Sequence, residues 1–344
     1  MQKRSEGFQL WEYLLFTIIT VFVMLLCVCI GSVNLPFRET VDVLWRAFCG
    51  APQEGGMASS IILPVRLPRV LCVALVGAAL SVGGASMQGL LKNPLADGST
   101  LGVSSGASFG AICAIAFGIT IPGVPFAGTM VMAVLFAFLS LMLILSFAYR
   151  LDSSLSTNTI ILIGVIFSMF ISSLSNLVIT FAGEKVKTIT FWTMGSLQGS
   201  SYENAAIMGA TLAVCGMILF GCATELNAFA VGEENARTIG VNVRRMKLTV
   251  LICVSTLIGV SVSIGGSIAF VGLVTPHMLR GITGPNHKRL LPASAYGGAV
   301  FLLLSDLAAR TILRPRELPL GVVTSLIGSV VFVVIFFRMR KGNQ

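Results

Sequence analysis

Charge is scarce in this chain. Only 11% of its 344 residues are Asp, Glu, Lys or Arg, less than half of the roughly 25% of an ordinary soluble domain. A soluble globule of this length could not cover itself with so few polar groups. Histidine occurs only as His277 and His287, too few and too isolated to build a metal site. No CxxC pair is present. Cys27, Cys29, Cys72, Cys113, Cys215 and Cys253 lie inside apolar runs and read as small buried hydrophobes, while Cys49 and Cys222 lie outside or at the edges of those runs. The phosphate-cradling pattern GxxxxGK[ST] is missing, so the chain cannot hydrolyse ATP itself. These gaps exclude a cytosolic enzyme and a disulfide-framed domain. The net charge of +9 is scattered between apolar runs, which excludes a disordered or nucleic-acid-binding basic protein.

What is present is apolar: 55% AVILMFWYC and a mean hydropathy of +0.92. The chain reads as an all-α polytopic membrane protein. Uncharged stretches run over Tyr13–Phe37, Val70–Leu91, Ser99–Tyr149, Ser153–Gly183, Asn204–Thr224, Leu248–Leu279, Leu290–Ser305 and Leu318–Phe337. The stretch from Ser99 carries Pro122-Gly123-Val124-Pro125, a turn signal that divides it in two. The stretch from Leu248 contains Gly265-Gly266 and Pro276, which predicts a full span followed by a short, broken one. Ten spans result, over roughly 13–33, 66–91, 99–119, 127–149, 157–182, 203–222, 247–266, 268–280, 290–310 and 318–338, in one transmembrane unit covering 1–344.

Ten spans rather than nine put Arg280, Lys288, Arg289, Arg338, Arg340 and Lys341 inside and Arg310, Arg314 and Arg316 outside, as the positive-inside bias prefers. Both termini are then cytoplasmic, in a cell (inner or plasma) membrane. The first span is expected to be retained, because Glu6 and Glu12 sit where a secretory signal would be basic and no A-x-A site follows.

Leu75–Pro94 and Leu257–Pro276 align with seven identical pairs: Leu75/Leu257, Gly77/Gly259, Ser81/Ser263, Gly83/Gly265, Gly84/Gly266, Leu91/Leu273 and Pro94/Pro276. The first copy runs outside to inside and the second begins inside. Halves of opposite topology are a transporter signature, because exchanging their conformations opens alternate sides of one pathway. Small residues four apart, Gly102, Gly106 and Gly110 in one span and Gly321, Ser325 and Ser329 in another, let helix backbones approach closely.

The longest charged connection, Glu225 to Lys247, falls on the cytoplasmic side. Glu233 and Glu234 open a short helical turn, Arg237 follows and Gly240 ends it, the charge order that a helix dipole favours. In the fifth span Ser168, Ser172, Ser175 and Asn176 share one helical face, which suits either a weakly polar conduit or interhelical hydrogen bonding.

These residues carry a resemblance. Glu234-x-Ala236-x-x-x-Gly240 resembles the motif by which ABC importer permeases grip their ATPase subunits. RLPR (Arg66–Arg69), NPLAD (Asn93–Asp97), LGVSSGA (Leu101–Ala107), GLVTPHMLR (Gly272–Arg280) and ELPLGVVTSLIG (Glu317–Gly328) resemble the permease family for iron-chelate, haem and cobalamin uptake. The resemblance implies ten helices per subunit, a second permease subunit (identical or paralogous), two ATP-binding subunits below and a substrate-binding protein above. It implies no cofactor and no catalytic residue. It assigns Glu233, Glu234, Ala236, Arg237 and Gly240 to ATPase coupling and Arg66, Arg69 and Arg310 to binding-protein docking. Asn93, Pro94 and Leu95, with Ser156 and Thr157, fall to a cytoplasmic gate. On the residues alone, Arg66 and Arg69 could instead snorkel at a helix end, Arg310 could pair with Asp306, and Asn93-Pro94 could be a plain helix stop.

The expected cargo is an iron-siderophore, with haem or cobalamin as the alternative. A competing class, a gradient-driven transporter, would need a titrating intramembrane acid, and Asp306 is the only candidate.

Overall fold

The computed structural model describes residues 7–33, 35–52, 55–98, 101–121, 127–152 and 156–342. The turn expected at Pro122–Pro125 lies outside them. The chain is built from helices α1 (Leu10–Cys29), α2 (Phe37–Cys49), α3 (Met57–Ile61), α4 (Leu67–Leu91), α5 (Val103–Phe117), α6 (Ala127–Leu151), α7 (Thr157–Phe181) and α8 (Val186–Thr193). These continue with α9 (Tyr202–Gly221), α10 (Ala223–Val231), α11 (Glu233–Thr238), α12 (Val243–Gly265), α13 (Val271–Thr283), α14 (His287–Thr311) and α15 (Leu320–Gly342). Among the described residues seven helical stretches are long and apolar enough to cross a membrane; α5 and the Leu320–Val334 part of α15 are shorter apolar helices, and α13 has only 13 residues, so ten is an approximate count of the crossings.

Two amphipathic pieces escaped the span count because charge interrupts them. α2 alternates Arg38, Glu39, Asp42 and Arg46 with Phe37, Val41, Trp45 and Phe48, and α8 follows Glu184 and Lys185. The second span also starts earlier than expected. Pro64 removes an amide donor, and a π-helical turn over Ile62–Arg66 carries the helix from α3 past it into α4.

α4 is the central helix, buried over most of its length. Glycine permits this. A Cβ on Gly77 would overlap the Gly298 carbonyl of α14, and one on Gly298 would overlap Gly77 in return. α5 meets α6 the same way, through Gly106 against Ser140 and Gly110 against Met132.

α4 and α12 run in opposite directions. Lys92, just past the end of α4, and Lys247, in the second turn of α12, both sit on the ring of Phe229, at 4.9 and 5.6 Å. The matched glycines of the repeat do different jobs, however. Gly83 and Gly84 lie inside continuous α4, whereas Gly265 ends α12 and Gly266 adopts φ 67°, ψ −160°, a conformation open to glycine. The chain then runs without regular structure to Phe270, where α13 begins. The end of the bundle bearing Arg66, Arg69 and Arg310 is called here the arginine end, and the opposite end the Glu234 end.

Candidate functional site

At the arginine end Asp306 is fully buried between two guanidinium groups. Arg69 Nη2 lies 2.9 Å from Asp306 Oδ1 and Arg310 Nε 2.9 Å from Oδ2. Arg69 also reaches Glu317 Oε2 at 2.8 Å. Arg310 donates to the Cys27 carbonyl at 3.2 Å. Arg66 donates to the carbonyls of Val28 and Cys29 at 2.9 and 3.0 Å and also to that of Val33. It thus satisfies carbonyls that the end of α1 leaves without helical partners. All three arginines are buried and engaged within the chain. The pairing of Arg310 with Asp306 is the one its helical spacing allowed.

At the Glu234 end, α10 and α11 form a short projecting elbow. Glu233 Oε2 meets the buried Lys247 Nζ at 3.0 Å, and its Oε1 meets Arg237 Nη2 at 2.9 Å. Ala236 is fully buried, which seats the helix, and Gly240 turns the chain away at φ 90°. Glu234 is exposed, as are Val231 and Ile239 at 76% and 70%. The two adjacent acids are therefore unlike: Glu233 anchors and Glu234 projects. Asn227 of α10 ties the elbow to α14, its Oδ1 accepting the His287 amide at 2.8 Å and its Nδ2 donating to Asn286 Oδ1 at 2.7 Å. Beside it, burial and then the nearby Glu225 carboxylate push the Cys222 thiol above the ordinary thiol range.

The expected gate residues occupy two turns at the same end. Asn93 Oδ1 accepts the Leu95 amide at 2.9 Å, and Pro94 and Leu95 are exposed. Ser156 precedes α7, its amide donating to Asp152 Oδ2 at 3.1 Å and its hydroxyl meeting Thr159 at 2.9 Å; Thr157 opens the helix half-buried. The face of α7 divides. Ser168 lies against Gly102 of the segment before α5, and Ser175 bonds back to the Ile171 carbonyl at 2.8 Å, while Ser172 and Asn176 stay open.

One polar contact was not foreseen. Gln88, buried in α4, donates to the Gly272 and Leu273 carbonyls at 3.3 and 3.1 Å, and Arg280 donates to its Oε1 at 3.1 Å. Only a lone glutamine in an apolar run announced it.

Among the described residues no group of three or more His, Cys, Asp or Glu could hold a metal. The arrangement is a two-ended helical shell. The FecCD transport family model matches residues 19–338. The chain belongs to the FecCD transport family. The ABC transporter permease protein YvrB of Bacillus subtilis is 40% identical over 333 residues, covering 96% of this chain and 94% of that protein. The hemin transport system permease protein HmuU of Yersinia pestis is 33% identical, covering 91% of each. Other relatives are molybdate and cobalamin import permeases. A solved structure described as an inward-facing conformation of a metal-chelate type ABC transporter superposes with a TM-score of 0.83 at 32% identity, covering 94% of this chain and 98% of that one. This family member is accordingly a membrane permease of an ABC importer, a translocation component rather than an enzyme.

Proposed function

We propose that this permease imports a metal chelate, an iron-siderophore in the first instance and haem or cobalamin in the second, across a cell membrane with both of its termini in the cytoplasm. It pairs with a second permease subunit around a central pathway. Two ATP-binding subunits sit below the Glu234 end, and a substrate-binding protein delivers cargo at the arginine end.

The carrying observation is the elbow: Glu234, Val231 and Ile239 are exposed together on a segment fixed from behind by Glu233, Lys247 and Asn227. A mixed acid and apolar surface on a rigid mount suits a motor that pushes. Asn93, Pro94 and Leu95, with Ser156 and Thr157, form the gate at that end. Ser172 and Asn176 line the conduit, offering weak hydrogen bonds and no charge to hold a bulky chelate. Ser168 and Ser175 steady the same helix. At the other end Arg66, Arg69 and Arg310 fix the helix ends on which the binding protein rests. An acidic lobe reaches Arg69 or Arg310 by displacing Asp306 or Glu317.

Purifying the cognate binding protein and identifying its retained ligand by mass spectrometry tests the cargo. An iron-siderophore supports the first assignment, a haem or corrinoid the second, and a ligand without metal overturns both. Isolation of the permease alone, with ATP-independent transport in vesicles abolished by Asp306→Asn, would overturn the importer reading.

A further inference from the structure

Between α12 and α13 the backbone is unpaired inside a membrane protein. Gly266 N still donates to the Val262 carbonyl at 2.8 Å, the Gly265 carbonyl still accepts from Ser196 N at 2.8 Å, and the Phe270 carbonyl accepts from Val274 N at 2.8 Å. Among the described residues no hydrogen bond engages the N–H or C=O of Ser267, Ile268 or Ala269. Lipid-facing backbone cannot remain in this state, because hydrocarbon offers no partners. Irregular chain at membrane depth persists only where protein buries it or water reaches it.

The strip begins beside the first turn of α15, near the arginine end, and runs inward along that helix. Ser267 packs on Gly321 at the start of α15, and Phe270 packs on Gly328 further along the same helix. Those two glycines are about 10 Å apart at the rise of an α-helix. Its side chains alternate: Ser267 and Ala269 are exposed, whereas Ile268 lies near Gly265 and Phe270 turns onto α15. Burial by the chain itself covers the Ser267 carbonyl, which is wedged against Gly195 and Gly321, and leaves the Ser267 side chain and Ala269 exposed. Through α8 the strip connects to α7, the helix that carries the proposed conduit face. Gly195, just past α8, packs on Ser267, α8 touches α7, and α7 carries Ser172 and Asn176.

We infer that Ser267–Ala269 is a contact strip for the cargo, a short run of backbone amides and carbonyls that stands in for hydration as an oxygen- and amide-rich chelate passes. This rests on the importer reading above. Backbone groups suit the task, since they offer donors and acceptors without a charge that would trap the cargo, and the small side chain of Ala269 leaves the groups beside it reachable, with the exposed Ser267 hydroxyl adding to them. Discontinuous helices with unwound backbone serve substrate contact in other transporter folds.

The test uses a chain freed of its native cysteines, assembled with its partner subunits in proteoliposomes. Ser267→Cys and Ala269→Cys should react with a charged, impermeant methanethiosulfonate at least about tenfold faster than Val131→Cys on the apolar surface of α6. Ser267→Trp and Ala269→Trp should lower ATP-driven uptake of the chelate retained by the binding protein by about tenfold, with hydrolysis and subunit association unchanged. Labelling as slow as at Val131 would overturn the proposal, as would a cross-link between the Ser267→Cys residues of two subunits with no aqueous labelling. Fast labelling with normal uptake in both Trp variants would also overturn it, because the strip would be wet but untouched. Absence of ATP-driven uptake in the cysteine-free parent, where the natural chain also lacks it, would instead remove the importer reading; the labelling rates would still decide whether the strip meets water.

Discussion

Gln88 supplies the hydrogen bond that Pro276 withholds. Proline has no amide to donate, so the carbonyl four residues earlier in α13, that of Gly272, loses its helical partner. Gln88 Nε2 donates to that carbonyl at 3.3 Å from the neighbouring helix and to Leu273 beside it. Gln88→Leu should therefore destabilise the folded permease by about 1 to 2 kcal/mol. In a Pro276→Ala background, where the helix can bond to itself, the same change should cost little. A double-mutant cycle on thermal unfolding in detergent checks this, and equal losses in both backgrounds would contradict it.

Glu233 and Glu234 should separate on mutation. Glu234→Arg reverses an exposed charge at the elbow and should lower ATPase stimulation by about tenfold with little change in stability. Glu233→Gln removes the carboxylate from buried Lys247, 3.0 Å away, and should lower stability by about 1 to 3 kcal/mol. Melting temperature and hydrolysis rate, measured on the same preparations, distinguish the two effects.

Asp306→Asn leaves Arg69 and Arg310 facing each other without their shared counter-ion. The expected loss is about 3 to 5 kcal/mol, as when one partner of a buried ion pair is removed. Arg310→Met paired with Asp306→Asn should recover part of it. If Asp306→Asn were instead as stable as the natural chain, the ion triad would not be what holds α4 to α14 at this end.

Cys49 and Cys222 report on topology. Cys49 is the exposed last residue of α2, and Cys222 immediately precedes α10. An impermeant maleimide added outside intact cells should label Cys49 and spare Cys222. In opened membranes Cys222 should react slowly at neutral pH and faster as pH rises, since its raised pKa leaves less thiolate at any given pH. Labelling of Cys222 from outside would reverse the assigned orientation.

The spans were legible because charge avoids hydrocarbon, and α13 because Gly265-Gly266 and Pro276 mark a break. α2 was not, since its charged face makes it look like a loop to any count of uncharged residues. The burial of Arg66 was equally hidden. Its partners are carbonyls at the end of α1, and backbone groups carry no mark in the sequence. Glu233 and Glu234 look alike as letters, and only the approach of Lys247 separates them. Gln88 and Pro276 are each visible, yet nothing local says that the gap made by one is filled by the other.

Phe229 has a mechanical consequence. Its ring receives Lys92 from just past the end of α4 and Lys247 from near the start of α12, while its own helix, α10, is one arm of the elbow. Under the coupling proposed above, a thrust delivered to the elbow reaches α4 and α12 through this one ring. Moving either helix alone then draws an ammonium group off it, which gears the two like levers on one axle.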